Sequence, residues 1–384
     1  MSTPILAVIG GGQLARMMAP AAQRLGVHLR ALVEAPDGAT AQVVVDSIVG
    51  GAKDAADLRR LTDGADALTF EHEHVDNDQM RGLREQGVSV QPPPEALLYA
   101  QDKIQMRTRL TALGVPCPRW RALSADARTA EAELVQFLAE SADGSAVVKT
   151  ARGGYDGKGV RVVNAPAEVA DWIGGQTPLL VEERVDFVRE LAVLVARRPS
   201  GQAVTYPVVE SIQRGGVCAE VIAPAPDLDP AVATRAREIA LSIAQGLGVT
   251  GIVAVEMFET SDRGGAGVLV NELAMRPHNS GHWTIDGAQT SQFEQHIRAV
   301  LDLPLGPTGL RAPVTVMANI LGSTRASLSD ALPEALAAVP GARVELYGKE
   351  IRPGRKLGHV NVCGDDPGAV AALARTAAEI IMGS

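Results

Sequence analysis

The sequence predicts a mixed fold, α/β in its first part and α+β beyond it, divided into two or three domains. Three observations carry this reading. Apolar runs alternate with amphipathic helical stretches from Ile5 to Val90 and stop at Pro92-Pro93-Pro94, the pattern of an open parallel sheet. A glycine-rich basic stretch, Gly153 to Gly159, joins two short β-type runs. Two later apolar runs, Gly251 to Phe258 and Val268 to Leu273, each carry an acid, and a dense polar run follows them.

In the first part, Ile5 to Ile9 reads as a buried parallel strand. Gly10-Gly11-Gly12-Gln13-Leu14-Ala15 then opens a helix running to about Leu25, and the strand His28 to Val33 ends in Glu34. At face value this is a dinucleotide fingerprint with an acid for a ribose. A glycine turn at a helix N-terminus nevertheless accepts any phosphate or carboxylate. Helix 54–62, strand 65–70, helix 78–86 and strand 88–90 complete a sheet of about five strands. Glu71-His72-Glu73-His74 lies at a strand's C-terminal end, where open sheets bind ligands. Its two acids suit a metal, a solvated loop or a hydroxyl-binding pair.

Helices are expected over 97–113, 129–138 and 165–172, with Lys103 and Arg107 one turn apart on the first. Ala146 to Lys149 and Gly159 to Val163 form a hairpin whose tip adds Arg152 and Lys158 to Lys149. Glycines let backbone N–H groups approach an anion, although a flexible surface hairpin has the same composition. Strands follow at 179–181, 189–196 and 203–209, then a helix over 229–247. A carboxylate at Glu256 or Glu272 in so apolar a strand needs a partner. With the Asn271 amide, the acids form an all-oxygen set suited to magnesium bridging phosphates, the alternative being salt bridges. The run Arg276 to Thr284, with His278, Asn279, Ser280 and His282, reads as a small-anion pocket. After a helix over 291–301, short strands such as Val314 to Leu321 surround one basic turn, Lys349 to His359, and a helix from Pro367 ends the chain. That turn is either a phosphate clamp or a solvated hairpin.

Composition bounds the function. Hydrophobic residues at 46% and charged residues at 21% give an ordinary globular balance. Aromatics at 3% leave the core to Val, Leu, Ile and Ala. A net charge of −9 argues against a nucleic-acid face, yet local clusters can hold an anionic substrate. Cys117, Cys218 and Cys363 are odd in number and scattered, so neither disulfides nor a CxxC zinc site is expected. The apolar run Ile5 to Ile9 is too short for a signal peptide, and no apolar stretch approaches the ~18 residues of a membrane span. The expectation is a cytoplasmic enzyme without nucleic-acid or membrane partners.

Gly153-Gly154-Tyr155-Asp156-Gly157-Lys158-Gly159, Asn271-Glu272-Leu273-Ala274, Arg276 to Thr284, Arg352 to His359 and Gly11 to Met17 together resemble the ATP-grasp ligases. Within them the likeness is to the 5-(carboxyamino)imidazole ribonucleotide synthases of purine biosynthesis, over essentially the whole chain. The resemblance implies a Rossmann-like (pre-ATP-grasp) domain at 1–102, an ATP-grasp domain at 103–303 with a mobile lid over roughly 120–184, and a small β-rich domain at 304–384. It implies a homodimer that joins 5-aminoimidazole ribonucleotide and bicarbonate using ATP, with magnesium (or manganese) as the metal. Carried over residue by residue, Lys103 and Lys149 hold ATP phosphates under the loop Gly154 to Val160. Glu182, Glu183, Arg184 and Val185 form the adenine hinge, and Glu190 binds the ribose. Gln213 also faces the nucleotide. Glu256, Glu272 and Asn271 hold the metal. Gln13, Leu14, Glu73, Ser280, Lys349, Arg355 and Lys356 bind the ribonucleotide, while Tyr155, Asp156, Arg276, His278 and Asn279 serve the chemistry. Three positions depart from the family pattern: Gln213 for a histidine, Met275 for a proline and His74 for an asparagine. A different ATP-grasp carboxylase or amide ligase and a nicotinamide-dependent oxidoreductase remain as alternatives.

Overall fold

The computed structural model describes residues 3–154, 157–261 and 267–383. The first part is a four-stranded parallel sheet, in spatial order Asp46–Val49, His28–Val33, Ile5–Ile9, Ala67–Phe70. It is smaller than expected. Residues 88–90 contribute only an isolated bridge, Val90 to Leu68. The edge strand Asp46–Val49 was not anticipated, because four half-exposed residues carry no periodicity.

The expected helix over 97–113 is two helices, Pro94–Gln101 and Lys103–Ala112. Asp102 breaks them. Its backbone is extended, and its carboxylate caps the second helix by accepting from the Ile104 and Gln105 N–H groups at 3.0 and 3.1 Å. The expected helix over 165–172 is only a 3₁₀ turn, Pro166–Val169.

A second sheet, in the order Trp120–Ala122, Leu179–Glu183, Ala146–Thr150, Val160–Val163, carries the glycine hairpin. It has its own core, built on Leu134, Phe137, Val148 and Val181.

The third sheet has nine strands. Arg189–Arg197, Ala203–Thr205, Val209–Arg214, Val217–Ala223, Gly251–Glu259 and Val268–Ala274 pass without interruption into Val314–Leu321, Lys356–Gly364 and Arg343–Leu346. The expected strand 203–209 is therefore two pieces, and Val217–Ala223 is an addition. That added strand pairs with the C-terminal part, Glu220 opposite Ala318. The β-rich end of the chain extends the central sheet.

The first and third sheets share a core that includes Ile9, Leu68, Val193 and Val253. His296 stitches them together. Its Nδ1 accepts from the Ile252 N–H at 3.0 Å, and its Nε2 meets Thr69 Oγ1 at 2.8 Å. Burial pushes this imidazole down to about 3, so it is neutral.

Candidate active site

A cleft of about 2840 Å³ lies where the three sheets meet. Gln13, Leu14 and Glu73 enter from the first part, with Lys103 from the helix that follows it. Lys149, Gly154, Gly157, Lys158, Val160 and the stretch Glu182 to Val185 come from the hairpin sheet. Glu190, Gln213, Glu256, Asn271, Glu272, Arg276, His278 and Asn279 come from the central sheet, and Lys349, Arg355 and Lys356 from the basic turn. Two expected residues do not line it. Ser280 is fully buried and hydrogen-bonds the His278 Nδ1 at 2.9 Å, so it holds that histidine and does not reach the cleft. The Gly159 carbonyl is taken by the Thr150 N–H at 2.9 Å. Tyr155 and Asp156 lie outside the described residues.

One end of the cleft is a knot of cations and acids. Lys103 pairs with Glu272. Lys149 contacts Glu182 Oε2 at 2.8 Å and Asn271 Oδ1 at 3.1 Å. Arg107, which received no role from the sequence, is 0% exposed. Its guanidinium donates to Glu182 Oε1 at 2.6 Å and to the carbonyls of Val270 and Asn271 at 2.8 and 2.7 Å. One side chain thus ties Lys149's partner to the strand that bears Glu272. The expected hinge stretch lines the cleft, and the buried Glu182 carboxylate within it also grips two cations. Burial alone would raise its pKa, but the Lys149 and Arg107 charges outweigh that and bring it down to about 2.

Glu256 has the opposite balance. Burial and the charges of Glu272 and Glu190 push its carboxyl up to about 8. Burial likewise raises Glu190. His278 Nε2 stands 3.8 Å from Glu256 Oε1. Burial, then the Arg276 and Lys356 charges, hold this imidazole neutral, well below its usual range. Its Nδ1 accepts from the Ser280 N–H at 3.3 Å, which leaves the ring proton on Nε2, facing the acids. Lys356 lines the cleft, and its charge acts on both Glu256 and His278.

The hinge end has an aromatic slab that sequence reasoning missed. Phe187 and Phe258 stack at 4.7 Å and 18°, and both line the cleft beside Glu183 to Asp186. A planar base fits such a surface.

At the third end the glycine turn is already filled. Glu71 accepts from the backbone N–H of Gly12 and, at 3.1 Å, from that of Ala15. A Cβ on Gly10 would stand 2.1 Å from Glu71 Cγ, and one on Gly12 2.5 Å from its Oε1. These glycines make room for the chain's own carboxylate, in the seat a dinucleotide pyrophosphate would need. Glu73 points elsewhere, to Arg276 Nε at 2.9 Å, so Glu71 and Glu73 do not converge on a metal. Lys349 reaches across from the basic turn to Gln13.

Comparison with known proteins matches three family models: a ribonucleotide synthetase preATP-grasp domain over residues 3–101, an ATP-grasp domain over 108–293, and a phosphoribosylaminoimidazole carboxylase C-terminal domain over 315–373. Fold and cleft together are those of an ATP-grasp ligase. An N5-carboxyaminoimidazole ribonucleotide synthase of Mycobacterium tuberculosis is 50% identical over 98% of this chain and 87% of its own. The chain belongs to the N5-carboxyaminoimidazole ribonucleotide synthase family. The ADP complex of one such synthetase superposes with a TM-score of 0.89 at 32% identity, covering 100% of this chain and 99% of its own. The Aspergillus clavatus synthase in complex with ADP and 5-aminoimidazole ribonucleotide gives 0.88 at 28% identity, over 99% and 98%.

Proposed function

We propose that the protein is the ATP-dependent ligase that carboxylates 5-aminoimidazole ribonucleotide with bicarbonate, giving N5-carboxyaminoimidazole ribonucleotide, ADP and phosphate in purine biosynthesis. The observation that carries this is the meeting in one cleft of the cation knot at Lys103 and Lys149, the facing acids Glu256 and Glu272, and the Arg276–His278 run.

Bicarbonate oxygen attacks the γ-phosphorus of ATP, the bond to ADP breaks, and carboxyphosphate forms. The ribonucleotide amine then attacks the carboxyl carbon and expels phosphate, or attacks carbon dioxide once carboxyphosphate has released its phosphate, and in either route the nitrogen gives up one proton, for which the departing phosphate is an acceptor. Lys103 and Lys149 neutralise the phosphates, and a fixed donor of this kind is worth about 3–4 kcal/mol in the transition state. The Nε2–H of His278 and the Arg276 guanidinium orient the small anion beside the γ-phosphate, which turns a three-reactant encounter into a local one. The hairpin from Gly153 to Gly159 closes over the phosphates and keeps water from carboxyphosphate.

Among the described residues no three His, Cys, Asp or Glu side chains converge as a ready-made metal set. The chemistry of the acids still fits a divalent cation. Burial and the neighbouring carboxylates Glu272 and Glu190 push Glu256 up to about 8, so the pair lacks a compensating positive charge, and a divalent cation held here would share its oxygen ligands with ATP phosphates. Glu256 and Glu272 would hold magnesium or manganese, with Asn271 alongside. The ion would offset charge on the β- and γ-phosphates.

We divide the chain at 102 and 303 on the family likeness, and take roughly 120–184 as the lid on the separate core of the hairpin sheet. We assign a cytoplasmic homodimer on the family likeness. No helix among the described residues is long and apolar enough to cross a membrane. Purified protein given ATP, magnesium and the ribonucleotide should release phosphate only when bicarbonate is also present. Carbon-13 bicarbonate should yield a carbamate carbon by NMR. Phosphate release indifferent to the ribonucleotide would overturn the reading.

A further inference from the structure

The family resemblance gives Glu73 and Gln13 to the ribonucleotide but no task to Glu71, although two backbone N–H groups hold its carboxylate. Its backbone N–H donates to the Ile9 carbonyl at 3.0 Å. Its carboxylate accepts from Gly12 on one side and Ala15 on the other. The residues between those two donors are Gln13 and Leu14, both at the cleft wall. The turn's outer face is fixed as well, since Thr40 Oγ1 donates to the Gly12 carbonyl at 2.8 Å and the Thr40 N–H to that of Gly11 at 3.1 Å.

We propose that Glu71 is a positioning residue for the ribonucleotide, an internal anion seated in the glycine turn of the first domain. This rests on the ligase reading given above. By spanning Gln13 and Leu14, the carboxylate sets the side chain that Lys349 meets. Two residues along the same segment, Glu73 meets Arg276 at 2.9 Å. The Glu71 charge also acts on the Arg276 guanidinium. One carboxylate at the cleft wall therefore aligns groups from all three parts of the chain through the residues it holds. The positive end of the helix that begins at Gln13 favours a charge here. Glutamine at this position keeps the shape but sets an NH₂ against one of two N–H donors.

The test compares Glu71→Ala and Glu71→Gln with the wild type. Glu71→Ala should raise the KM for 5-aminoimidazole ribonucleotide by roughly tenfold and leave that for ATP within about twofold. Glu71→Gln should move the same constant in the same direction by less, with an unchanged circular dichroism spectrum. Added sodium formate should occupy the vacated seat. It should restore the ribonucleotide KM of Glu71→Ala, and raise its melting temperature but not that of the wild type, against a chloride control. The melting result does not depend on the substrate assignment. If the wild type shows no ribonucleotide-dependent phosphate release, the ligase reading fails. If it does, and both KM values move together with no formate effect, the positioning role fails. A lowered ribonucleotide KM in Glu71→Ala would also overturn it, since the carboxylate would then be competing with a substrate anion.

Discussion

Glu256 and Glu272 stand opposite each other in the register of two antiparallel strands, yet they titrate in opposite directions. Lys103 holds Glu272 below its usual range, whereas Glu272 and Glu190 help burial drive Glu256 up. Two acids so arranged need one more positive charge.

That need can be read in activity. Glu272→Gln and Glu256→Gln should each reduce turnover by roughly a hundredfold or more, the scale of losing one transition-state contact, with the fold intact by circular dichroism. Near-normal rates at saturating magnesium would withdraw the metal assignment.

Glu182 gives a pH signature. Its folded carboxyl titrates near 2 against an ordinary 4.5. Because the folded value is depressed, its contribution is complete above 4.5 and is lost as pH falls toward 2. At pH 7, Glu182→Gln should destabilise the protein by about 3–5 kcal/mol, since Arg107 and Lys149 lose their shared partner. Urea unfolding should show the gap to the wild type closing through the acid range. A gap that is constant with pH would contradict the pairing.

The basic turn should divide by position. Lys349→Ala should raise the KM for the ribonucleotide by roughly tenfold and spare that for ATP. Lys356→Ala should also lower kcat, because its charge acts on His278 and Glu256. Equal effects on both KM values in either variant would refute these roles.

The chemical route is open to isotope tracing. With oxygen-18 bicarbonate, label should appear in inorganic phosphate, exchange with water being controlled. Unlabelled phosphate would mean that the ribonucleotide itself is phosphorylated, and the roles of His278 and Arg276 would have to be withdrawn.

Much of the site was legible because its signals are local. The hairpin at Gly153 to Gly159 shows in composition, and the acids at Glu256 and Glu272 stand out against apolar strands. Contacts across the chain left no such trace. Gly12 and Glu71 are 59 residues apart, and Arg107 and Glu182 are 75 apart. The glycine turn therefore read as a seat for any phosphate or carboxylate, with no sign that Glu71 fills it, and nothing local showed that the Glu182 carboxylate grips two cations. Arg107 offered only its helical spacing from Lys103. The helix break at Asp102 was visible in principle, as an aspartate two residues before Ile104, but the apolar pattern runs across it. The union of the central and C-terminal strands depends on the pairing of Glu220 with Ala318, which no periodicity encodes.

That union has a consequence for solubility. Val217–Ala223 is almost wholly buried because Val314–Leu321 covers its flank. Cutting the chain near residue 303 would strip that cover and leave a long apolar edge with open backbone groups, a template for intermolecular pairing. The last part of the chain is thus an edge guard as well as a source of lysines. Truncated chains that omit it should precipitate before they lose nucleotide binding.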